Sequence, residues 1–345
     1  MTDLKELPNF KVVDASEDAV REGGDVLRAG GLVAFPTETV YGLGADATND
    51  QAVATIFAIK ERPTFNPLIV HVKDELQAAE LVDFNDTAQK LAHAFWPGAL
   101  TLVMKRKDGG PLSLAATAGL DTVAVRVPAH PVAQALLQEA GVPIAAPSAN
   151  KSGYVSPTQA IHVLMQFKDG QGLNLIIDGG ACPVGVESTI IDVTGDAPVL
   201  LRPGGVAVED IETVVGPVQL NHGDDITAPG QLKSHYAPSI PIRINVQPED
   251  RVKGESLITF GPDMPRRAAI NLSKSGDLKE AAANLFTMLR ALDMPGIRGI
   301  AVVPIPNEGL GRAINDRLER AAAPKGGETT DGPPKAHDPI GSIEI

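Results

Sequence analysis

Apolar and polar positions alternate along this chain in two rhythms: short apolar runs bounded by Gly and Pro, and longer stretches of helical period. The short runs predict strands at 32–35, 68–72, 100–105, 122–127, 143–146, 173–177, 188–193 and 199–201. Helical period predicts helices at 19–29, 51–60, 86–95, 132–139 and 158–166. So many strands with so few helices between them imply a curved mixed sheet rather than a regular parallel one. After a helix at 209–215, residues 216–241 lose periodicity and are rich in Gly, Pro, His and Asp. A connection of that length is functional or a linker. Periodicity returns with strands at 242–246, 256–260 and 299–304 and helices at 278–292 and 310–322, the alternation of a smaller Rossmann-like α/β domain. The expected division is a first α/β domain over 1–206, a linker or flap over 207–241, a second domain over 242–323 and a disordered tail over 324–345.

A length of 345 residues agrees with more than one core, and 43% hydrophobic with 21% charged residues marks a globular chain. Aromatic residues are 4% and the net charge is −13, divided as −9 over residues 1–206 and −4 over the rest. Neither half is a basic surface, which argues against strong nucleic-acid binding by phosphate neutralisation or base stacking, while leaving room for a basic pocket that holds one nucleotide. The single cysteine, Cys182, excludes an internal disulfide and a zinc site built on several thiolates, and fits a reducing cytosol. The N-terminal segment has no signal-peptide core and no run reaches membrane-spanning length, so a cytoplasmic protein without membrane association is expected.

Two familiar patterns fail on context. Gly42-Leu43-Gly44-Ala45-Asp46-Ala47 fits a dinucleotide fingerprint, but Thr37 to Tyr41 separate it from the preceding strand, and Glu61 falls at a helix end. Ser148-Ala149-Asn150-Lys151 fits S-x-x-K without its partner motifs. The informative residues are polar ones at element ends. Lys60 continues the apolar stripe of Val53, Ile56 and Phe57, and Arg62 follows before Pro63; a cation pair favouring a helix C-terminus is the plain alternative to a ligand site. His71 ends a strand, as a core histidine or as a ligand-binding one. In 122–127 the valines share one face, and Thr122, Ala124 and Arg126 the other. An arginine there needs a partner, either a ligand anion or an internal carboxylate. Ser148 and Asn150, Glu187-Ser188-Thr189 and Arg202-Pro203-Gly204-Gly205 lie at similar strand tips. Cations, a histidine and short hydroxyls without a nucleophilic triad suit the electrostatic positioning of a polyphosphate and a small anion.

Several of these segments together resemble the YrdC-like domain: Phe35-Pro36-Thr37-Glu38-Thr39-Val40-Tyr41-Gly42-Leu43, Lys60-x-Arg62, Asn66-Pro67-Leu68, Trp96-Pro97-Gly98, Pro147-Ser148-Ala149-Asn150 and Gly185-Val186-Glu187-Ser188-Thr189. With Ala228-Pro229-Gly230, His235-Tyr236-Ala237-Pro238 and the added α/β domain, the chain is similar to the long form of the threonylcarbamoyl-AMP synthase family, departing from it at Gln231-Leu232-Lys233-Ser234. The resemblance implies a nucleotidyltransferase that makes threonylcarbamoyl-AMP and pyrophosphate from L-threonine, bicarbonate or CO2, and ATP. The product feeds a downstream transferase complex that modifies the tRNA adenosine beside the anticodon. It implies Mg²⁺ carried with ATP and no protein metal site. By resemblance Lys60 and Arg62 are catalytic and bind ATP together with Thr122, Ser148, Asn150, Ser156, Arg202 and Tyr236. Thr37, His71, Arg126, Ala146 and Ser188 hold threonine, Arg126 being the natural partner of its carboxylate. Tyr236 is expected to close the cavity as part of a flap, or else to pack at the domain interface. A YrdC-like RNA-binding or ribosome-maturation module without catalysis is the alternative. The related carbamoyl transferase of hydrogenase maturation adds cysteine-rich zinc modules, which one cysteine excludes.

Overall fold

The computed structural model describes residues 6–7, 10–168, 172–221, 228–230, 235–262 and 270–324. The proposed tail from 325 onward, and linker residues 222–227 and 231–234, lie outside the described residues.

The first unit is one mixed sheet of twelve strands. In its middle Ile69–His71 runs parallel to Thr122–Arg126, with His71 opposite Arg126. Leu100–Lys105 is antiparallel to Thr122–Arg126 and parallel to Thr189–Asp192, which is in turn antiparallel to Val199–Arg202. These directions bring the ends of three strands, at His71, Arg126 and Arg202, and the start of a fourth, after Ser188, to one edge of the sheet. The expected alternation in Thr122–Arg126 is observed. Val123 and Val125 enter the main core, while Ala124 packs on the other face with Ile69, Val103, Ile190, Leu201 and the linker residue Ala228.

Among the described residues five strands and a helix are additional to those that periodicity predicts: Glu6–Leu7, Phe10–Asp14, Gly42–Asp46, Gln219–Leu220, Ile270–Asn271 and the helix Glu75–Leu81. Gly42–Asp46 is a fully buried strand between Val33–Phe35 and Ile144–Ala145. Its glycines serve a close approach: a Cβ on Gly44 would lie 2.7 Å from the Phe35 ring and 2.8 Å from Ile144. In sequence such glycines read as a loop. The strand predicted at 242–246 is shorter, Ile242–Arg243, because Asn245 takes a left-handed φ of 57° and leaves the sheet.

The second unit is a four-stranded parallel sheet carrying helices Leu278–Leu292 and Leu310–Ala322. Its core is completed from the first unit: Val40, Val155 and Val186 pack with Leu285, Phe286 and Tyr236. Backbone meets backbone there, since a Cβ on Gly185 would lie 2.4 Å from Ala283 Cα. Arg290 reaches back to the carbonyls of Val155 and Ser156, and Thr287 to Thr158. The two units therefore meet through apolar side chains and fixed hydrogen bonds, directly beside the strand ends gathered at the edge of the large sheet. Among the described residues no helix is long and apolar enough to cross a membrane.

Candidate active site

The gathered strand ends line a cavity partly open to solvent. Thr37 opens its wall in a turn after the strand Val33–Phe35. Its hydroxyl donates to the Val40 carbonyl (2.7 Å) and accepts from the Thr39 and Val40 amides. Ala146, Pro147 and Ser148 form a second wall, beyond the end of Ile144–Ala145. Ser188 contributes its hydroxyl, which is 2.7 Å from that of Thr101.

Arg126 lies in this wall with its guanidinium already engaged. Nε donates to Gly98 O (3.1 Å), Nη1 to Thr39 Oγ1 (3.0 Å) and Nη2 to the Glu38 carboxylate. Of the two partners considered for this arginine, the internal carboxylate is therefore present. Glu38 also accepts from the Ala129 amide. Burial disfavours its charge, but the Arg126 guanidinium and these hydrogen bonds hold its carboxyl below the ordinary value of 4.5. Arg126 thus ties three segments of the wall together. His71 stands opposite it, buried, its pKa pressed to about 3 by burial and by the Arg126 charge. The neutral ring keeps one nitrogen, Nδ1, without a partner.

At the other end the wall is cationic. Arg62 donates to Asn66 Oδ1 (2.6 Å) and to the carbonyls of Asn66 and Pro67. Arg202 donates to Ser188 O (2.9 Å), Ser188 Oγ and Pro229 O. Lys60 donates to the carbonyls of Ser148 and Asn150. All three are buried, and none forms a salt bridge with a described carboxylate. Burial draws the Arg62 pKa to about 10, so it stays charged at neutral pH, and pushes Lys60 well below its usual range with help from Arg62. Buried cations held only by carbonyls are costly unless an anion joins them.

The linker closes this end. Pro229, Gly230, His235 and Tyr236 line the cavity. Tyr236 is 1% exposed and stacks on Phe286, with centroids 5.7 Å apart. It lines the cavity and packs at the domain interface at once. His235, buried and pressed to about 3 chiefly by burial, also leaves Nδ1 unpartnered.

Nine of the thirteen residues singled out in the sequence meet in this cavity: Thr37, Arg62, His71, Arg126, Ala146, Ser148, Ser188, Arg202 and Tyr236. Four do not line it. Lys60 and Asn150 lie behind the Ser148 turn, the lysine holding its carbonyls and Asn150 holding those of Lys151 and Tyr154 through Nδ2. Ser156 donates to Glu187 and so acts at the wall through another side chain. Thr122 begins the strand that Arg126 ends. Four steps along the strand separate them, roughly 13 Å at about 3.3 Å per step. Glu187 stood in a singled-out strand tip without an assigned role, and its partner Arg317 is the residue that sequence reasoning missed. Arg317 had a signal, since it falls in the apolar stripe Ala313, Ile314, Leu318 and Ala321 of its helix.

Two consequences are measurable. The buried neutral histidines bind protons in the unfolded chain near 6.5 but in the folded one only near 3. Their contribution to stability is thus full above pH 6.5 and is lost as pH falls toward 3. Glu38 and Glu187, both depressed, add a loss that begins only below 4.5. Thermal midpoints should decline from about pH 6.5 and more steeply below 4.5; a flat profile from neutrality down to 4.5 would contradict the histidine assignment. Gly230 is the second case. It has φ of 88°, and a Cβ there would lie 2.8 Å from the Tyr236 hydroxyl and 2.9 Å from Arg202 Cδ. Gly230→Ala should cost about 1–2 kcal/mol in backbone strain and displace Arg202, weakening anion binding by about tenfold in calorimetry. Wild-type affinity would show that the linker does not press on that arginine.

Such a cavity, cationic at one end and lined by the linker to a second α/β unit, defines a two-domain α/β protein of the YrdC-like class. A family model described as telomere recombination matches residues 25–204, and one described as the C-terminal domain of threonylcarbamoyl-AMP synthase matches residues 206–323. The threonylcarbamoyl-AMP synthase of Pyrococcus abyssi is 42% identical over 322 residues, 88% of this chain and 94% of its own. That of Bacillus subtilis is 40% identical over 332 residues, 90% of this chain and 94% of its own. The crystal structure of P. abyssi Sua5 complexed with L-threonine has a TM-score of 0.83 at 40% identity, covering 90% of this chain and 97% of that one. The chain belongs to the threonylcarbamoyl-AMP synthase family, and both of its units are matched.

Proposed function

We propose that this enzyme is a nucleotidyltransferase that makes L-threonylcarbamoyl-AMP and pyrophosphate from L-threonine, bicarbonate or CO2, and ATP. The observation that carries this reading is the pair Arg62 and Arg202, buried in the cavity wall, bonded to carbonyls and joined to no described carboxylate. A polyphosphate supplies the missing negative charge. Lys60 supports that end by holding the turn of Ser148 and Asn150, and Tyr236 covers it. The opposite end has hydroxyls at Thr37 and Ser188, the unpartnered nitrogen of His71, small apolar Ala146, and Arg126 with N–H groups beyond those it spends on Glu38, Thr39 and Gly98. Those groups suit the carboxylate, amine and hydroxyl of threonine. Ser156 belongs to the nucleotide end in this reading, through Glu187, whereas Thr122, at the far end of its strand from Arg126, takes no part in it.

The unprotonated amine of threonine attacks the carbon of CO2, or of bicarbonate with loss of water, and gives a carbamate. A carbamate oxygen then attacks the α-phosphorus, the bond to the bridging oxygen breaks, and pyrophosphate leaves. Fixed cations at the phosphates favour the charge that develops on the leaving group. Among the described residues the one carboxylate lining the nucleotide end, Glu187, is already bonded to Arg317 and Ser156, which suits a Mg²⁺ ion held by the ATP phosphates rather than by side chains. Bound there, Mg²⁺ spreads the charge of the leaving pyrophosphate. The product passes to a transferase complex acting on tRNA. Incubation with ATP, L-threonine and ¹³C-bicarbonate should yield pyrophosphate and labelled threonylcarbamoyl-AMP by mass spectrometry. Pyrophosphate without the labelled conjugate would overturn this function.

A further inference from the structure

Among the described residues Arg317 is the largest side chain wholly withdrawn from solvent, 0% exposed, and it comes from the second unit, on helix Leu310–Ala322. Its Nε donates to Glu187 Oε2 at 2.7 Å, Nη1 donates to Asp316, and its guanidinium carbon lies 4.9 Å from the centre of the Tyr236 ring. The other oxygen of Glu187 accepts from Ser156 Oγ. Both carboxylate oxygens are therefore taken by groups that do not line the cavity.

Arg202 meets the same segment one residue further on. Its Nε and Nη2 donate to the carbonyl of Ser188, the next residue along from Glu187. Just beyond it, Gly205 N donates to Glu187 O, and a Cβ on Gly204 would lie 2.3 Å from that oxygen. Two arginines thus meet the segment of one buried carboxylate, and only Arg317 forms the salt bridge. A buried carboxylate stripped of its cation must find another or lose its charge. The cation next to hand is Arg202, whose guanidinium shares the cavity with Glu187.

We propose that Arg317 is a positioning residue: it occupies Glu187 so that the guanidinium of Arg202 stays available to the phosphates of ATP. The inference rests on the functional reading above, in which Arg202 meets the nucleotide. It assigns the second unit a defined part in substrate binding. Nucleotide affinity in the first unit depends on a charge delivered across the interface, and removal of that charge sets up an inhibitory pair between Glu187 and Arg202.

Calorimetry of ATP and of L-threonine with the full chain tests this. The parent should bind ATP and Arg202→Met should not. Arg317→Met should weaken ATP binding by tenfold or more while changing threonine affinity by less than about twofold. Adding Glu187→Gln to Arg317→Met should restore most of the lost ATP affinity, because no carboxylate then competes for Arg202. A role in packing alone would not be rescued by that second change. Arg317→Lys keeps a cation but cannot hold Glu187 and Asp316 together, and it should show a smaller loss with the same rescue; it carries the comparison if Arg317→Met does not fold. ATP affinity at the parent level in the folded Arg317 variants, or a double variant as weak as the single one, overturns the proposal. A parent that binds no ATP overturns the functional reading and this inference with it.

Discussion

Arg202→Met is expected to slow pyrophosphate release from ATP and threonine by about 10²–10³-fold and to shift the melting temperature by less than about 4 °C. The two effects separate because of how this arginine is held. It is 3% exposed and its donors reach only the Ser188 and Pro229 carbonyls and the Ser188 hydroxyl. Removing it strands the Ser188 carbonyl, at about 1–3 kcal/mol. It also removes a buried cation that forms no salt bridge with a described carboxylate, a change that recovers its desolvation cost. These terms offset one another in the apo protein. With ATP present they do not, since the arginine is then a preorganised donor where negative charge develops. Initial rates and thermal melts on the same preparation check this. A loss of rate that tracks a loss of fold would make Arg202 a structural residue.

Tyr236→Ala is expected to cost about 3–5 kcal/mol of stability and to raise ATP cleavage that yields no threonylcarbamoyl product. The ring is fixed on three sides, by Phe286 at 5.7 Å, by His235 at 4.1 Å and by the Arg317 guanidinium at 4.9 Å. Its backbone has a left-handed φ of 60°, and the next amide donates to Gly153 O at 2.8 Å. Truncation empties a packed site and opens the cationic end of the cavity to water, where a carbamate and its mixed anhydride are readily lost. Tyr236→Phe keeps the ring, so it should retain most of the stability. Proteolysis within residues 216–241 should slow when ATP and threonine are both present, and Tyr236→Ala should remove that protection. Equal cleavage with and without ligands would leave Tyr236 a packing residue only.

Much of this architecture was legible before folding, where the information was local. Strict alternation in Thr122–Arg126 marks two faces, valines on one and Ala124 with Arg126 on the other, and the observed clusters divide along that line. The helical stripes of 278–292 and 310–322 gave helices with those bounds. The polar strand ends that carried the family resemblance are, in the main, the cavity wall.

What folding alone decided is which group each buried charge faces, because burial and pairing depend on residues far apart in the chain. The pattern around Arg126 left a ligand anion and an internal carboxylate equally open, and Glu38, 88 residues away, resolves the choice. Lys60 was correctly placed on the buried stripe, yet only the packed turn of Ser148 and Asn150 shows its ammonium spent on carbonyls. The glycines of Gly42–Asp46 looked like a loop because nothing local announces that Phe35 will lie against them. Arg317 interrupts an apolar stripe, which says that it is buried; that it is buried against Glu187, 130 residues earlier, is a property of the interface. Periodicity determines what a residue turns toward the core, and the electrostatics of the core are set by whatever else arrives there.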